Sequence, residues 1–205
     1  MPRSKKPRHP HRQKAIALPL SFKQERLEQI EGMFNNVETR VLMKIKEGLC
    51  ELDEMRAVSD VYNIVFFALA HRQKEFADYP LMEISEQITQ AGDDTVRVIE
   101  RAGKVGRVVC TGDEIGSILD TLQACVTFCR QQLAQCPSIF VVEVNAAKLL
   151  AQTHSGRIAV SKKNIDWAYD QAMRVTHMRP ETQERLFADL TAQARKMTTA
   201  QIVPM

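Results

Sequence analysis

The chain is expected to fold as an all-α protein, a compact bundle of about 7–8 helices with at most a minor two-stranded ribbon. Three observations point that way. Gly and Pro number only eight each in 205 residues, and several of the prolines fall in the first ten. The rest is rich in Ala, Leu, Gln, Glu, Lys and Arg, which lose little side-chain freedom in a helix. Apolar residues recur at steps of three and four, the spacing that gathers side chains on one face of a 3.6-residue spiral. With 44% hydrophobic residues the chain can bury a sizeable core.

The first fourteen residues stand apart. Arg3, Lys5, Lys6, Arg8, Arg12 and Lys14 supply six cations, with His9, His11 and three prolines and no acidic residue. The whole chain has 28 Lys and Arg against 25 Asp and Glu; without those six it has 22 against 25, so the body is near −3. A flexible basic arm is thus joined to a mildly acidic body, which we divide into an N-terminal helical region, 15–136, and a C-terminal helical region, 137–205, packed on it.

Each helix has its own signals. Pro19 keeps Ala15–Leu20 extended, and Ser21 with Gln24 forms a capping box that starts a first helix near Phe22, carrying Leu27, Ile30 and Phe34. Asn35 and Asn36 punctuate it, and a second short helix carries Val37, Val41 and Ile45 to a C-terminal cap at Gly48. From Glu51 to Gln73 a broad apolar face, including Met55, Val58, Tyr62, Val65 and Leu69, marks the central, mostly buried helix. Beyond Pro80, the positions Leu81, Ile84, Ile88, Ala91, Thr95, Val98 and Ala102 draw a narrow seam suited to a partner helix or a homodimer. Gly92 weakens this run, Asp93 and Asp94 offer a restart, and Gly103 and Gly106 end it.

The segment from Gly106 and Arg107 through Val108–Cys110 to Thr111 and Ile115 is echoed fifty residues later by Gly156, Arg157, Ile158–Val160, Ser161 and Ile165. Each reads as glycine turn, basic residue, short extended piece, hydroxyl cap and helix; the two extended pieces are the material for the ribbon. Thr111 with Glu114 is a full capping box and Ser161 with Asn164 a partial one. A long helix near Asp113 to Leu133 and another near Ile139 to Gln152, opened by Pro137, lie between them. After Ser161 a helix carries Ile165, Trp167, Ala172 and Val175 and is stopped by Pro180, and a last one carries Leu186, Leu190 and Ala194 before a fraying tail.

Motifs for chemistry are missing from the sequence: there is no phosphate-cradling glycine loop, no paired-histidine zinc helix and no nucleophile elbow. The chain therefore reads as a non-enzyme without a cofactor. Cys125 and Cys129, at i and i+4 with Cys136 nearby, have the spacing of metal ligands, but they fall in the apolar stripe of Leu122, Val126 and Leu133. Free cysteine there behaves as a small hydrophobe, so core packing is the preferred reading over a metal or redox role. Five cysteines, an odd number, fit reduced thiols in a cytoplasm. No window approaches 18 consecutive apolar residues, so no membrane span is expected.

His71 falls at a helix end, where an imidazolium suits the macrodipole. The tetrapeptide His-Arg-Gln-Lys occurs at both 11–14 and 71–74 without surrounding similarity, and reads as coincidence. The cations of the arm can neutralise phosphates, making any nucleic-acid binding salt-dependent, and without aromatic residues for stacking that binding would be indifferent to sequence. They can equally dock on an acidic protein, or simply keep the chain solvated. Arg107 and Arg157, both beside glycine turns, join the arm's six cations as candidate partner- or nucleic-acid-binding residues.

The order of these features resembles a group of small proteins encoded by phages and integrated mobile elements of Gram-negative bacteria. The likeness rests on the arm Lys5-Lys6-Pro7-Arg8-His9-Pro10-His11-Arg12, on Leu18-Pro19-Leu20, on the helices around Ile45–Gly48 and Met55–Leu69, and on Gly106-Arg107 leading to Asp113-Glu114. It covers residues 1–135, and from Ser138 onward the chain departs from the pattern. The resemblance implies a mobile-element accessory protein in the cytoplasm of a bacterial host. That class includes inhibitors such as anti-CRISPR proteins, which bind a host protein or ribonucleoprotein complex and block it without chemistry.

Overall fold

A computed structural model describes residues 20–76, 81–153 and 162–176, together with isolated helical positions at Arg185, Ala188, Asp189 and Ala192. Among the described residues there are six continuous helices and no strand. We number them α1 (Leu20–Asn36, Val37–Val41 and Leu42–Glu47), α2 (Leu52–His71), α3 (Leu81–Val105), α4 (Gly112–Gln135), α5 (Pro137–Thr153) and α6 (Lys162–Thr176).

Two of the expected 7–8 helices are one, because the break at Asn35 and Asn36 does not occur, and the last expected helix, around Leu186, Leu190 and Ala194, lies outside the described residues apart from those isolated positions. Asn36 keeps helical angles (φ −62°, ψ −43°), and the chain passes through one π turn, Val37–Val41, straight into Leu42–Glu47. The wider turn inserts a residue without stopping the helix. Packing decides against the asparagine signal: Phe34, Val37, Val41, Leu42 and Ile45 are all buried, and the π turn keeps them on one side. Ser21 lies inside α1 rather than capping it. Gly48 does end the helix, in the left-handed region at φ 69°, with its N–H and that of Leu49 bonding Ile45 and Lys44 carbonyls.

α2 begins with a capping box of its own, the Glu54 carboxylate accepting the Glu51 N–H at 2.8 Å. α3 runs unbroken through Gly92 and Gly103 and stops at Gly106, φ 78°. Its seam is consumed inside the molecule: Ile88, Ala91, Thr95, Val98 and Ala102 are buried and α3 packs on α2 and α4. That face is therefore closed to a second copy or a partner. Thr111 caps α4 as its sequence requires, with Glu114 returning a 2.8 Å acceptor to the Thr111 N–H.

Val108–Cys110 is not a strand. It is irregular chain pinned by Arg101, whose Nη1 donates to the Val109 carbonyl at 2.7 Å. Ile158–Val160, the other half of the expected ribbon, lies outside the described residues, as do the arm, the helix stop at Pro180 and the side chains at Leu186, Leu190 and Ala194.

One buried cluster runs from Ile30 to Ala172 and draws on all six helices. α2 is central, as expected, packing on α3, α4, α5, α6 and the π turn. α5 is enclosed just as fully: every residue from Phe140 to Leu150 is buried except Asn145 and Lys148, which are half-buried. Phe34 of α1 stacks on Phe140 with ring centroids 6.1 Å apart. A fully buried Phe of this kind contributes roughly 1.5–3 kcal/mol relative to exposure.

Candidate functional site

The run Phe140-Val141-Val142-Glu143-Val144 carries a carboxylate into the middle of an apolar helix face, and Glu143 has no exposure to solvent. An isolated buried charge there would cost several kcal/mol, so the fold must supply a counter-ion and donors. It supplies both from the end of α2. Arg72 approaches edge-on, Nε at 2.8 Å from Oε1 and Nη2 at 3.0 Å from Oε2. His71 Nδ1 lies 2.9 Å from the same Oε1.

The remaining capacity of the guanidinium is also used. Its Nη1 lies 3.4 Å from Cys136 Sγ and 3.5 Å from Glu75, and its carbon sits 4.9 Å from the centre of the Phe76 ring. Burial pulls the Arg72 guanidinium down, but the hydrogen bonds and charge of Glu143 outweigh it and hold the group protonated above its ordinary range. His71 is held by its faces: Tyr169 stacks at 3.9 Å between centroids and Phe67 at 5.9 Å. Burial, reinforced by Glu143, raises the Tyr169 phenol. The cluster thus fastens α2 to α5 and, through Tyr169, to α6.

Beside it opens a cleft of about 760 Å3 at the meeting of α2, α3 and α6. His71 and Arg72 line it with Phe66, Ile165 and a rim of charged side chains that includes Glu86 and Asp166. A carboxylate, an oriented imidazole and a fixed guanidinium beside a cleft can bind and orient a polar group. Arg72 and Glu143 are committed to each other, so His71 is the member left with a free ring edge.

The residues singled out from sequence fall elsewhere. Arg107 is exposed on the turn after α3, without an ion-pair partner among the described residues. Arg3, Lys5, Lys6, Arg8, Arg12, Lys14 and Arg157 lie outside the described residues. Cys125 and Cys129 are buried in the core. Burial pushes the Cys125 thiol up to about 12, and burial together with Cys125 and Glu143 raises the Cys129 thiol well above its ordinary value, so both favour the neutral thiol that packs as a hydrophobe. Among the described residues no group of three or more His, Cys, Asp or Glu is placed to hold a metal ion, and no helix is long and apolar enough to cross a membrane.

Sequence reasoning passed over Glu143, and read His71 only as a helix-end imidazole and the tetrapeptide at 71–74 as coincidence. The signal was present: an acid inside a continuous apolar run needs a cation somewhere. Which of 28 cations answers it depends on the tertiary arrangement. Half of the tetrapeptide at 71–74 proves to be that answer.

No family model matches this chain, and neither the curated proteins nor the solved structures contain a match to it.

Proposed function

We propose that this is a non-enzymatic binding protein that engages a host protein or ribonucleoprotein complex, in the manner of a mobile-element accessory protein and, in its most concrete form, an anti-CRISPR-type inhibitor. The observation that carries the binding reading is the end of the bundle where α1 and α3 finish and α2 and α4 begin. Leu49 (64% exposed), Val105 (56%) and Val109 (36%) leave large apolar side chains in solvent there, next to the exposed cation Arg107. The two loops adjoin: the Leu42–Glu47 segment packs against α4, and Cys50 and Cys110 join the same apolar cluster. Exposed apolar groups beside an exposed cation suit protein contact, with the arm's six cations adding attraction to an acidic or RNA-containing partner.

The test is affinity purification of the tagged full chain from a bacterial host lysate, in parallel with Arg107→Glu and Val109→Asp variants and with the arm removed. A stoichiometric complex recovered by the parent chain and weakened by the loop variants supports the reading, as does relief of CRISPR interference against a targeted phage. A clean chain without a stoichiometric partner and without effect on interference ends it. The arm's composition favours a second reading, sequence-indifferent nucleic-acid binding. It requires DNA or RNA affinity that falls steeply with salt and disappears when residues 1–14 are deleted.

A further inference from the structure

We propose that the cleft beside the end of α2 is a binding site for an ammonium or guanidinium group carried on an apolar stem, with His71 Nε2 as the hydrogen-bond acceptor that receives it. The two oxygens of Glu143 face the guanidinium of Arg72, and a carboxylate so paired offers lone pairs only. The proton in the 2.9 Å contact between His71 Nδ1 and Glu143 Oε1 must therefore sit on the imidazole. In the neutral ring this tautomer leaves Nε2 bare, as an acceptor. Stacking of Tyr169 at 3.9 Å fixes the plane of the ring. With Nδ1 on the fully buried Glu143, the opposite ring edge is the one left to the cleft that His71 lines, and the side chain is 20% exposed.

The surroundings select the sign of the ligand. Arg72 is cancelled by Glu143, and of the other charges on the cleft, Glu75, Glu86 and Asp166 outnumber Lys74 and Lys162. A bare nitrogen lone pair and an excess of carboxylates repel an anion and accept an N–H cation. Phe66 and Ile165 provide the apolar wall along which an alkyl stem would lie. This site is distinct from the loop end proposed above for the macromolecular partner. Ser85 and Glu86 of α3 line the cleft, and Val105 beside Arg107 lies twenty residues beyond Ser85 on the same helix, about 30 Å at the rise of a helix. The two proposals can therefore fail independently.

The experiment is NMR on the full chain, following the His71 ring nitrogens and the Ile165 methyls during titration with n-butylguanidinium, n-butylammonium and butyrate. The expected result is an Nδ1-protonated tautomer and saturable shifts with both cations, with butyrate at least about tenfold weaker, the scale of one hydrogen bond to a charged group. His71→Phe keeps the stacked ring and removes the acceptor, and should weaken the cations by about tenfold. Asp166→Asn, at the rim, should weaken them severalfold with the fold intact. The proposal is overturned by an Nε2-protonated ring, by butyrate binding as well as the cations, by absence of saturable shifts in the parent chain, or by unchanged cation binding in His71→Phe.

Discussion

Glu143 shows how one residue can constrain three helices. Its carboxylate is fully buried and takes donors from Arg72 and His71, so removing the charge of Glu143 leaves the buried Arg72 guanidinium without its counter-ion. Glu143→Gln should lower the unfolding free energy by about 3–5 kcal/mol, the usual cost of leaving a buried charge uncompensated. Arg72→Met with Glu143→Leu should cost clearly less than the sum of the two single changes, because no charge is then left unpaired. Urea denaturation of the parent chain and the four variants measures both. Glu114 reports a milder case near the surface. Arg101 donates to both its oxygens at 2.9 and 2.7 Å, and this pairing outweighs burial and, helped by Thr111, holds the carboxyl at about 2. A depressed folded value means the stabilisation is complete above the unfolded value of about 4.3 and is lost as pH falls through that of the folded state. The stability advantage of the parent chain over Glu114→Gln should therefore narrow between about pH 4.3 and pH 2, seen as converging urea midpoints.

At the scale of elements, local signals held where packing agreed with them and yielded where it did not. Thr111 with Glu114 and the glycine cap at Gly48 are read directly from sequence, since both act within four residues. The asparagines at 35 and 36 are weaker: a propensity of a few tenths of a kcal/mol cannot end a helix whose next two turns bury Val37, Val41 and Ile45. Gly92 is the same lesson inside α3. The space where its Cβ would stand is open, so Gly92→Ala should raise stability by about 0.5–1 kcal/mol, chiefly by stiffening the unfolded chain. Gly106 also has open space but a φ of 78°, so Gly106→Ala should cost about 1 kcal/mol through backbone strain alone. Opposite shifts in thermal midpoint distinguish the two.

Across the whole molecule, helices from both halves of the chain share one core, and α5 is as enclosed as α2. Burial should govern thiol chemistry accordingly. Half-buried Cys110 and Cys136 are expected to react with iodoacetamide before Cys50, Cys125 and Cys129, which become available only on unfolding. Intact-mass analysis at neutral pH, with and without urea, reads the order. The all-helical class, the caps at Gly48 and Thr111 and the apolar faces of α2 and α3 were determined by the sequence itself, because each depends on neighbours within a few residues. The partner of the α3 seam, the continuity of α1 and the assembly of Arg72, His71, Glu143 and Tyr169 were decided only by the tertiary structure. Glu143 and Tyr169 lie some seventy to a hundred positions from His71 and Arg72, and periodicity records which face of a helix is apolar but not what will cover it.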